Sequence, residues 1–333
     1  MLKQNPKVAI IGAGSWATAI AKMLLYNVDE LHWWIRSKDV ADSIQKQGRN
    51  PRYLSSVHFD QTKIVVHDDL KQVLELADII FVAVPSAYIH TTFENVGAKG
   101  MEDKIIFSCV KGIIPEYHAI PARYFHKEFE TPYDNIGIVC GPCHAEEVAL
   151  EKLSYITVAC ADQEIAQQTA DLLATPFVKT NLSDDLFGTE LSAILKNVYA
   201  LAAGICHGLR YGDNFQAVLM ANAIRETERF VDAVNNVHRD VKSSAYLGDL
   251  LVTAYSQFSR NRTFGSMIGQ GYSVKSAQVE LNMVAEGYYA VKSVMEINKK
   301  FLVDIPIVEA VYNILYEKIS PAIEIRLLAD KLS

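Results

Sequence analysis

Val8-Ala-Ile-Ile11 is a short, wholly apolar run, and it stops at the hexapeptide Gly12-Ala-Gly-Ser-Trp-Ala17. This junction constrains the fold more than any other feature of the chain. A continuous apolar run of this length reads as a strand buried on both faces, and such strands belong to parallel sheets with helices on both sides. The stretch Ala17–Tyr26 is amphipathic at helical spacing, so the glycines occupy a strand-to-helix turn. The hexapeptide fits G-x-G-x-x-G/A. Gly12 permits the tight turn, Gly14 lets a pyrophosphate approach the backbone, and Ala17 is small enough for helix–strand packing. Ser15 and Trp16 open a helix whose N-terminal N–H groups and dipole favour an anion. A bound dinucleotide is the expectation, with an incidental glycine turn as the alternative.

The same texture repeats. Leu31–Ile35, Ile64–Val66, Ile79–Val84, Ile105–Ser108, Ile136–Cys140, Tyr155–Ala161 and Phe177–Thr180 read as further strands, with amphipathic stretches such as Leu70–Leu76 between them. This alternation predicts a parallel sheet covered on both faces. The texture changes near Phe187-Gly188, and from Thr189 onward long helical patterns run without a convincing strand. The expected fold class is α/β: an N-terminal Rossmann-like doubly wound sheet over 1–188, then an all-helical domain over 189–333. Two domains suit 333 residues at about 150 residues per domain.

Composition narrows the function. Lys and Arg total 32 against 39 Asp and Glu, a net charge of −7, so no broad basic footprint for nucleic acid exists. An anionic substrate would need a locally basic pocket. No apolar run approaches the ~18 residues of a membrane span, so no stable membrane insertion is expected. The N-terminal apolar stretch is too short for a signal peptide and runs into the glycines. Five cysteines in a long chain with an ample core suggest a reduced, cytoplasmic protein. The histidines show no metal-ligand spacing, and no metal is expected.

The second strand ends in Trp34-Ile35-Arg36-Ser37. An acidic residue there would hold the ribose 2′-hydroxyl of NAD. Arg36 instead suits a 2′-phosphate, stacking on adenine, or a solvated surface position, so NADP and NAD both remain open.

Ordered segments now carry a resemblance: Gly12-Ala-Gly-Ser-Trp16, Asn50-Pro-Arg-Tyr-Leu54, Val84-Pro-Ser86, Lys111-Gly-Ile113 and Gly141-Pro142 with Ala145-Glu-Glu-Val-Ala149 in the first half, then Glu190 with Leu195-Lys-Asn-Val198, Gly248-Asp-Leu250, Ser259-Arg-Asn-Arg262 and Ala285-Glu-Gly287. Together they resemble the NAD(P)-dependent glycerol-3-phosphate dehydrogenases of the bacterial type, over nearly the whole chain. The chain departs from the family's usual pattern at Ala17, at His90 where Arg is frequent, and at Cys143-His144 where Ser-Phe is common. The resemblance implies interconversion of dihydroxyacetone phosphate and sn-glycerol 3-phosphate, feeding phospholipid synthesis, by a cytoplasmic enzyme that is often a homodimer.

Lys196 lies in a helical pattern, Thr189–Gly204, whose apolar face is Leu191, Ile194, Leu195, Val198 and Leu201 and whose second face is small: Ala193, Ala200 and Gly204 beside Asn197. Such a helix is buried nearly all round, and burial lowers a lysine's pKa. Ketone reduction needs a proton on oxygen, which such a lysine can supply. The resemblance implies that Lys196 is the acid/base, that Lys111 orients the substrate oxygen beside the nicotinamide, and that Asp249 partners a hydroxyl or the lysine. Thr253, one turn later, reaches the same pocket. Ser259, Arg260 and Asn261 offer donors to a phosphate, with Arg260 the bidentate one; a charged surface loop is the alternative. The family pattern adds Gly141, Cys143 and Asn197 to the substrate side, and Tyr53, Ala145, Val284 and Glu286 to the cofactor side together with Lys111 and Arg260.

Cys140-Gly-Pro-Cys143 is also the thioredoxin-type signature. It sits inside a larger α/β domain, and Gly141-Pro142 already belongs to the substrate-loop pattern. Competing activities are a related β-hydroxyacid or ketopantoate-type dehydrogenase and a non-catalytic NAD(P)-sensing module. Ser259–Arg262 favours a phosphorylated substrate over the first, and the two lysines argue against the second.

Overall fold

The structure is a computed structural model and describes residues 5–281 and 285–333. Its chain forms two compact units. One runs to Val110 and resumes over Ala119–Leu186; the other comprises Lys111–His118 and Phe187–Ser333.

The first unit is built on one eight-stranded sheet. Its strands are β1 (Val8–Ile11), β2 (Leu31–Trp34), β3 (Ile64–His67), β4 (Ile79–Val82), β5 (Ile105–Ser108), β6 (Ile136–Cys140), β7 (Ser154–Cys160) and β8 (Val178–Ser183), in the order β3-β2-β1-β4-β5-β6-β7-β8. Helices α1 (Ser15–Leu24), α2 (Lys38–Gln47), α3 (Leu70–Leu76), α4 (Ile89–Phe93), α5 (Pro121–Phe129), α6 (Ala145–Ala149) and α7 (Gln163–Leu173) connect them. Every residue of β1, β2, β4, β5 and β6 is buried, as apolar strands covered on both faces require. Ile10 pairs with Trp33 on one side and Phe81 on the other, and Phe81 stacks on Phe107, so large side chains fill the sheet's centre. Local signals set the helix ends. Asp69 caps α3, Asp162 caps α7 through two backbone N–H groups, and Gly48 ends α2 in the left-handed conformation.

The sheet departs from the expected all-parallel pattern at one place. β7 runs antiparallel to β6, in the register Val139 to Val158, while β7 and β8 are again parallel. A parallel return needs a crossover of about a dozen residues or more, usually a helix that spans the strand. The five-residue α6 rises only about 7 Å, too little to carry the chain back to the start of β6.

No strand occurs after Ser183 among the described residues. The second unit holds α8 (Leu186–Gly208), α9 (Asp213–Val234), α10 (Asp249–Tyr255), α11 (Arg260–Gly269), α12 (Val274–Leu281), α13 (Glu286–Phe301), α14 (Pro306–Leu315) and α15 (Pro321–Ala329). Along α8, every residue from Gly188 to Cys206 is buried. The glycines of its small-residue face are explained by α11. A methyl group on Gly204 would lie 2.1 Å from the carbonyl oxygen of Arg262, and one on Gly208 would lie 2.3 Å from that of Ser266. Reciprocally, methyl groups on Gly265 and Gly269 would strike the carbonyl oxygens of Leu201 and Ile205 at 2.2 and 2.3 Å. Two Gly-x-x-x-Gly pairs thus dock α8 on α11 backbone against backbone.

Candidate active site

In the first unit, the glycine turn lies at the C-terminal end of β1, where the strand order reverses between β1 and β4. Open α/β sheets hold ligands at this point. Gly12 has φ +118°, and a Cβ there would sit 2.6 Å from the Ala83 carbonyl oxygen, so only glycine fits. Gly14 faces open space and is the N-cap of α1, which has no side-chain cap and no acidic residue in its first turn. The turn is held from behind. The Trp33 indole donates to the Gly12 carbonyl at 2.6 Å, and Asn50 Nδ2 donates to the Ala13 carbonyl at 2.9 Å. A cleft lined by Gly12, Gly14, Arg36, Arg52, Tyr53 and Tyr88 opens beside it. The Arg36 guanidinium lies over the Tyr88 ring, 5.6 Å from its centroid. These residues fit a dinucleotide: an uncapped helix N-terminus for its phosphates, a glycine with no Cβ in the way, and cations and an aromatic ring beyond the second strand.

In the second unit, Lys196 and Asp249 form a buried ion pair, Nζ to Oδ1, and the two are 5% and 1% exposed. Asp249 opens α10 immediately after the π-helical turn Ser244–Gly248, a geometry frequent at functional sites. Burial pushes the Lys196 pKa down to about 8. Asp249 opposes this shift and the charge of Lys111 adds to it. The other carboxylate oxygen of Asp249, Oδ2, is buried and has no hydrogen-bond partner among the described residues. A buried acceptor left open in this way costs stability unless a ligand completes it.

A relay of amides runs beside this pair. Asn197 Nδ2 donates to the Lys111 carbonyl at 2.8 Å, Asn261 Nδ2 donates to Asn197 Oδ1 at 3.0 Å, and the Gly287 N–H donates to Asn261 Oδ1 at 2.9 Å. The relay gathers the Lys111 segment, α8, α11 and the start of α13, where Glu286 is the first residue. Asn197 and Asn261 therefore already bond to protein through both ends of their amides. Thr253 donates its hydroxyl to the Asp249 carbonyl at 2.6 Å, and Ser259 caps α11 by accepting from the Arg262 N–H at 3.3 Å. Arg260 is the first residue of α11, so Ser259–Arg262 forms a helix N-terminus rather than a loop, and the local dipole favours an anion there.

The remaining expected residues fall as follows. Gly141, with φ +108°, Cys143 and Ala145 form the turn from β6 into α6 in the first unit, and the Cys143 side chain packs into that unit's apolar core. Ser15 and Trp16 open α1. Val284 lies outside the described residues. All five cysteines are buried and none is disulfide-bonded. Asn50 and Arg52 lie in a segment that carries the resemblance but receive no role from it, and Asp39 and Tyr88 belong to no motif. The Asn-Pro step at 50 suggests only a turn, yet Asn50 is fully buried.

The strand order, the glycine turn and its cleft define a dinucleotide-binding protein of the doubly wound class with a helical second unit. Family models agree over both halves: the N-terminal model of NAD-dependent glycerol-3-phosphate dehydrogenase matches residues 7–166 and the C-terminal model matches 185–326. The chain belongs to this family. It is 36% identical to a glycerol-3-phosphate dehydrogenase [NAD(P)+] of Exiguobacterium over 322 residues, 96% of this chain and 94% of that one. The corresponding Staphylococcus carnosus protein is 31% identical over 98% of each chain. The crystal structure of glycerol-3-phosphate dehydrogenase from Coxiella burnetii superposes with a TM-score of 0.90 at 29% identity, covering 98% of this chain and 99% of that one.

Proposed function

We propose that the chain interconverts dihydroxyacetone phosphate and sn-glycerol 3-phosphate with NAD(P)H, supplying glycerophospholipid synthesis. Family membership over both halves sets it apart from β-hydroxyacid and ketopantoate-type dehydrogenases. The observation that carries a catalytic rather than a sensing role is the buried Lys196–Asp249 pair, because nucleotide sensing needs no titrating ammonium. The reading includes a cytoplasmic homodimer. Five reduced, buried thiols support that compartment, and the dimer rests on the family resemblance alone.

The dinucleotide supplies the hydride that reduces the substrate's carbonyl carbon. Lys196 donates its proton to the carbonyl oxygen and ends neutral; in the reverse direction neutral Lys196 takes the proton from the hydroxyl. Lys111 directs the same oxygen and disfavours the Lys196 charge. Asp249 Oδ2 accepts from a substrate hydroxyl, and Oδ1 keeps Lys196 in place. Arg260 and the N–H groups at the start of α11 hold the phosphate. Asn197 and Asn261 act as positioning residues through the amide relay, and Thr253 and Ser259 line the substrate side.

The pKa of Lys196 gives the pH dependence its sign. Ketone reduction uses the protonated lysine, so its kcat/KM falls as pH rises through about 8. Alcohol oxidation uses the neutral lysine, so its kcat/KM rises over the same interval. Lys111→Met removes a like charge and moves both inflections to higher pH. Profiles of kcat/KM in both directions, measured at subsaturating substrate, check this; inflections that ignore Lys111 would show that another group titrates.

Phosphate recognition is tested on two substrates. Arg260→Ala raises KM for dihydroxyacetone phosphate and lowers kcat/KM by about two decades, and Arg260→Lys, which keeps the charge but not the fork, lies between. With unphosphorylated dihydroxyacetone, already a poor substrate, Arg260→Ala changes kcat/KM much less. Equal proportional losses on both substrates would give Arg260 some other task.

A further inference from the structure

The cleft of the first unit carries two arginines in different circumstances. Arg36 lies over Tyr88 and has no acidic partner among the described residues. Arg52, in the Asn50–Leu54 loop, directs both Nε and Nη2 at one oxygen of Asp39, at 3.1 and 2.7 Å. The other Asp39 oxygen accepts from the hydroxyl of Ser37, the N-cap of α2. Ser37 and Arg52 hold the Asp39 carboxyl below the usual carboxylate range, so it is an anion at neutral pH. Arg36, Ser37 and Arg52 all line the cleft, and Asp39 bonds to two of them, Ser37 and Arg52.

The loop that presents Arg52 is fixed to the phosphate-binding turn. Asn50 Nδ2 donates to the Ala13 carbonyl and to Thr18 Oγ1, both at 2.9 Å, and Asn50 Oδ1 accepts from the N–H groups of Arg52 and Tyr53 at 3.0 and 3.1 Å. One buried amide therefore ties the Arg52 backbone to the glycine turn, and the head of the side chain stays at the surface. Its partner is an exposed carboxylate, and exposed pairs exchange partners at little cost. A phosphate dianion offers the same fork a bidentate, doubly charged acceptor.

We propose that Arg52 is a second residue reading the cofactor's 2′-phosphate, beside Arg36, and that Asp39 is an internal anion competing with that phosphate for it. The proposal rests on the dinucleotide site described above and deepens it. With a 2′-phosphate present, Arg52 leaves Asp39 and clamps the phosphate opposite Arg36. With a plain ribose, the Arg52–Asp39 pair stays closed. The competitor narrows the gap between the two cofactors, so both are accepted.

Calorimetric titration with adenosine 2′,5′-bisphosphate and with 5′-AMP tests this without catalysis. In Arg52→Gln, the bisphosphate is expected to bind about tenfold more weakly, the loss of a bidentate charged contact, with AMP changed less than about twofold because its ribose hydroxyl makes no such contact. Arg52→Lys lies between, and guards against a loop disordered by the Gln variant. Asp39→Asn tightens the bisphosphate about threefold, since an exposed competing pair is removed, and this gain vanishes in the double variant with Arg52→Gln. Equal losses for both probes in Arg52→Gln, or no tightening in Asp39→Asn, overturn the proposal while leaving the dinucleotide site standing. If neither probe binds the unaltered protein, the site itself fails and this proposal with it.

Discussion

Lys196→Ala is expected to lower kcat by about two to four decades, the scale of a lost general acid, with little change in nucleotide affinity. The lysine belongs to α8 in the helical unit, whereas the glycine turn and its cleft are built entirely from the other. Removing one member of a buried pair also leaves Asp249 as an uncompensated charge, at about 3–5 kcal/mol, so a fall in activity alone could be a fall in folded protein. The informative variant is Lys196→Met with Asp249→Asn. It keeps the volume of the helix and leaves no charge without a partner. It should unfold near the midpoint of the unaltered chain, bind NADPH normally by fluorescence titration, and remain slow. Turnover within a few-fold of normal in either variant would remove Lys196 from the chemistry.

Gly265→Ala is expected to destabilise the protein by about 3 kcal/mol or more, the upper range for overpacking, and to lower kcat/KM together with stability. Its methyl group would lie 2.2 Å from the Leu201 carbonyl oxygen and 3.0 Å from the Ile205 nitrogen. These are backbone atoms of a buried helix and cannot rotate aside. Relief requires α11 to move away from α8, which carries Arg260 and Asn261 away from Lys196. The control is Gly212→Ala. Gly212 has φ −80°, caps α9, and has nothing within 4 Å of an added Cβ, so the change stays within about 1 kcal/mol. Urea unfolding of the two variants side by side decides the matter. Equal midpoints would mean that α8 and α11 separate freely.

Much of this was legible in the sequence, and for identifiable reasons. β1 and β5 are found at their observed bounds because strands buried on both faces become unbroken apolar runs ended by polar or glycine residues. The burial of Lys196 follows from the absence of any polar face on its helix. The reversal of β7 was hidden, because alternation and hydrophobicity carry no strand direction; only the shortness of α6 hinted at it. The Lys196–Asp249 pair spans 53 positions, and no local pattern encodes such a meeting. The Ser259–Arg262 segment left open whether its donors formed a surface loop. Its helix N-terminus is set by the Ser259 cap, and the interior glycines at 265 and 269, which weaken the helical signal, find their meaning only when α8 is laid against them. Asn50 and Arg52 stood in a segment that carried the resemblance, but their roles were missed, and Asp39 was missed outright, because as residue types they suit an ordinary solvated loop or helix. What sets the first two apart is the buried Asn50 amide, which joins four backbone and side-chain groups, and Asp39 enters only through its pairing with Arg52.

The segment Lys111–His118 belongs with the helical unit although the chain on both sides of it belongs to the other. The polypeptide therefore passes between the units at three places in sequence rather than one. Neither unit corresponds to a single stretch of gene. A fragment cut near residue 186 would carry eight residues whose packing partners had been left behind, and the complementary fragment would lack Lys111 and the carbonyl that Asn197 holds. Swapping a nucleotide-binding half from a relative would likewise import a piece of that relative's substrate half. Recombination between such enzymes respects the fold only if residues 111–118 travel with the helices.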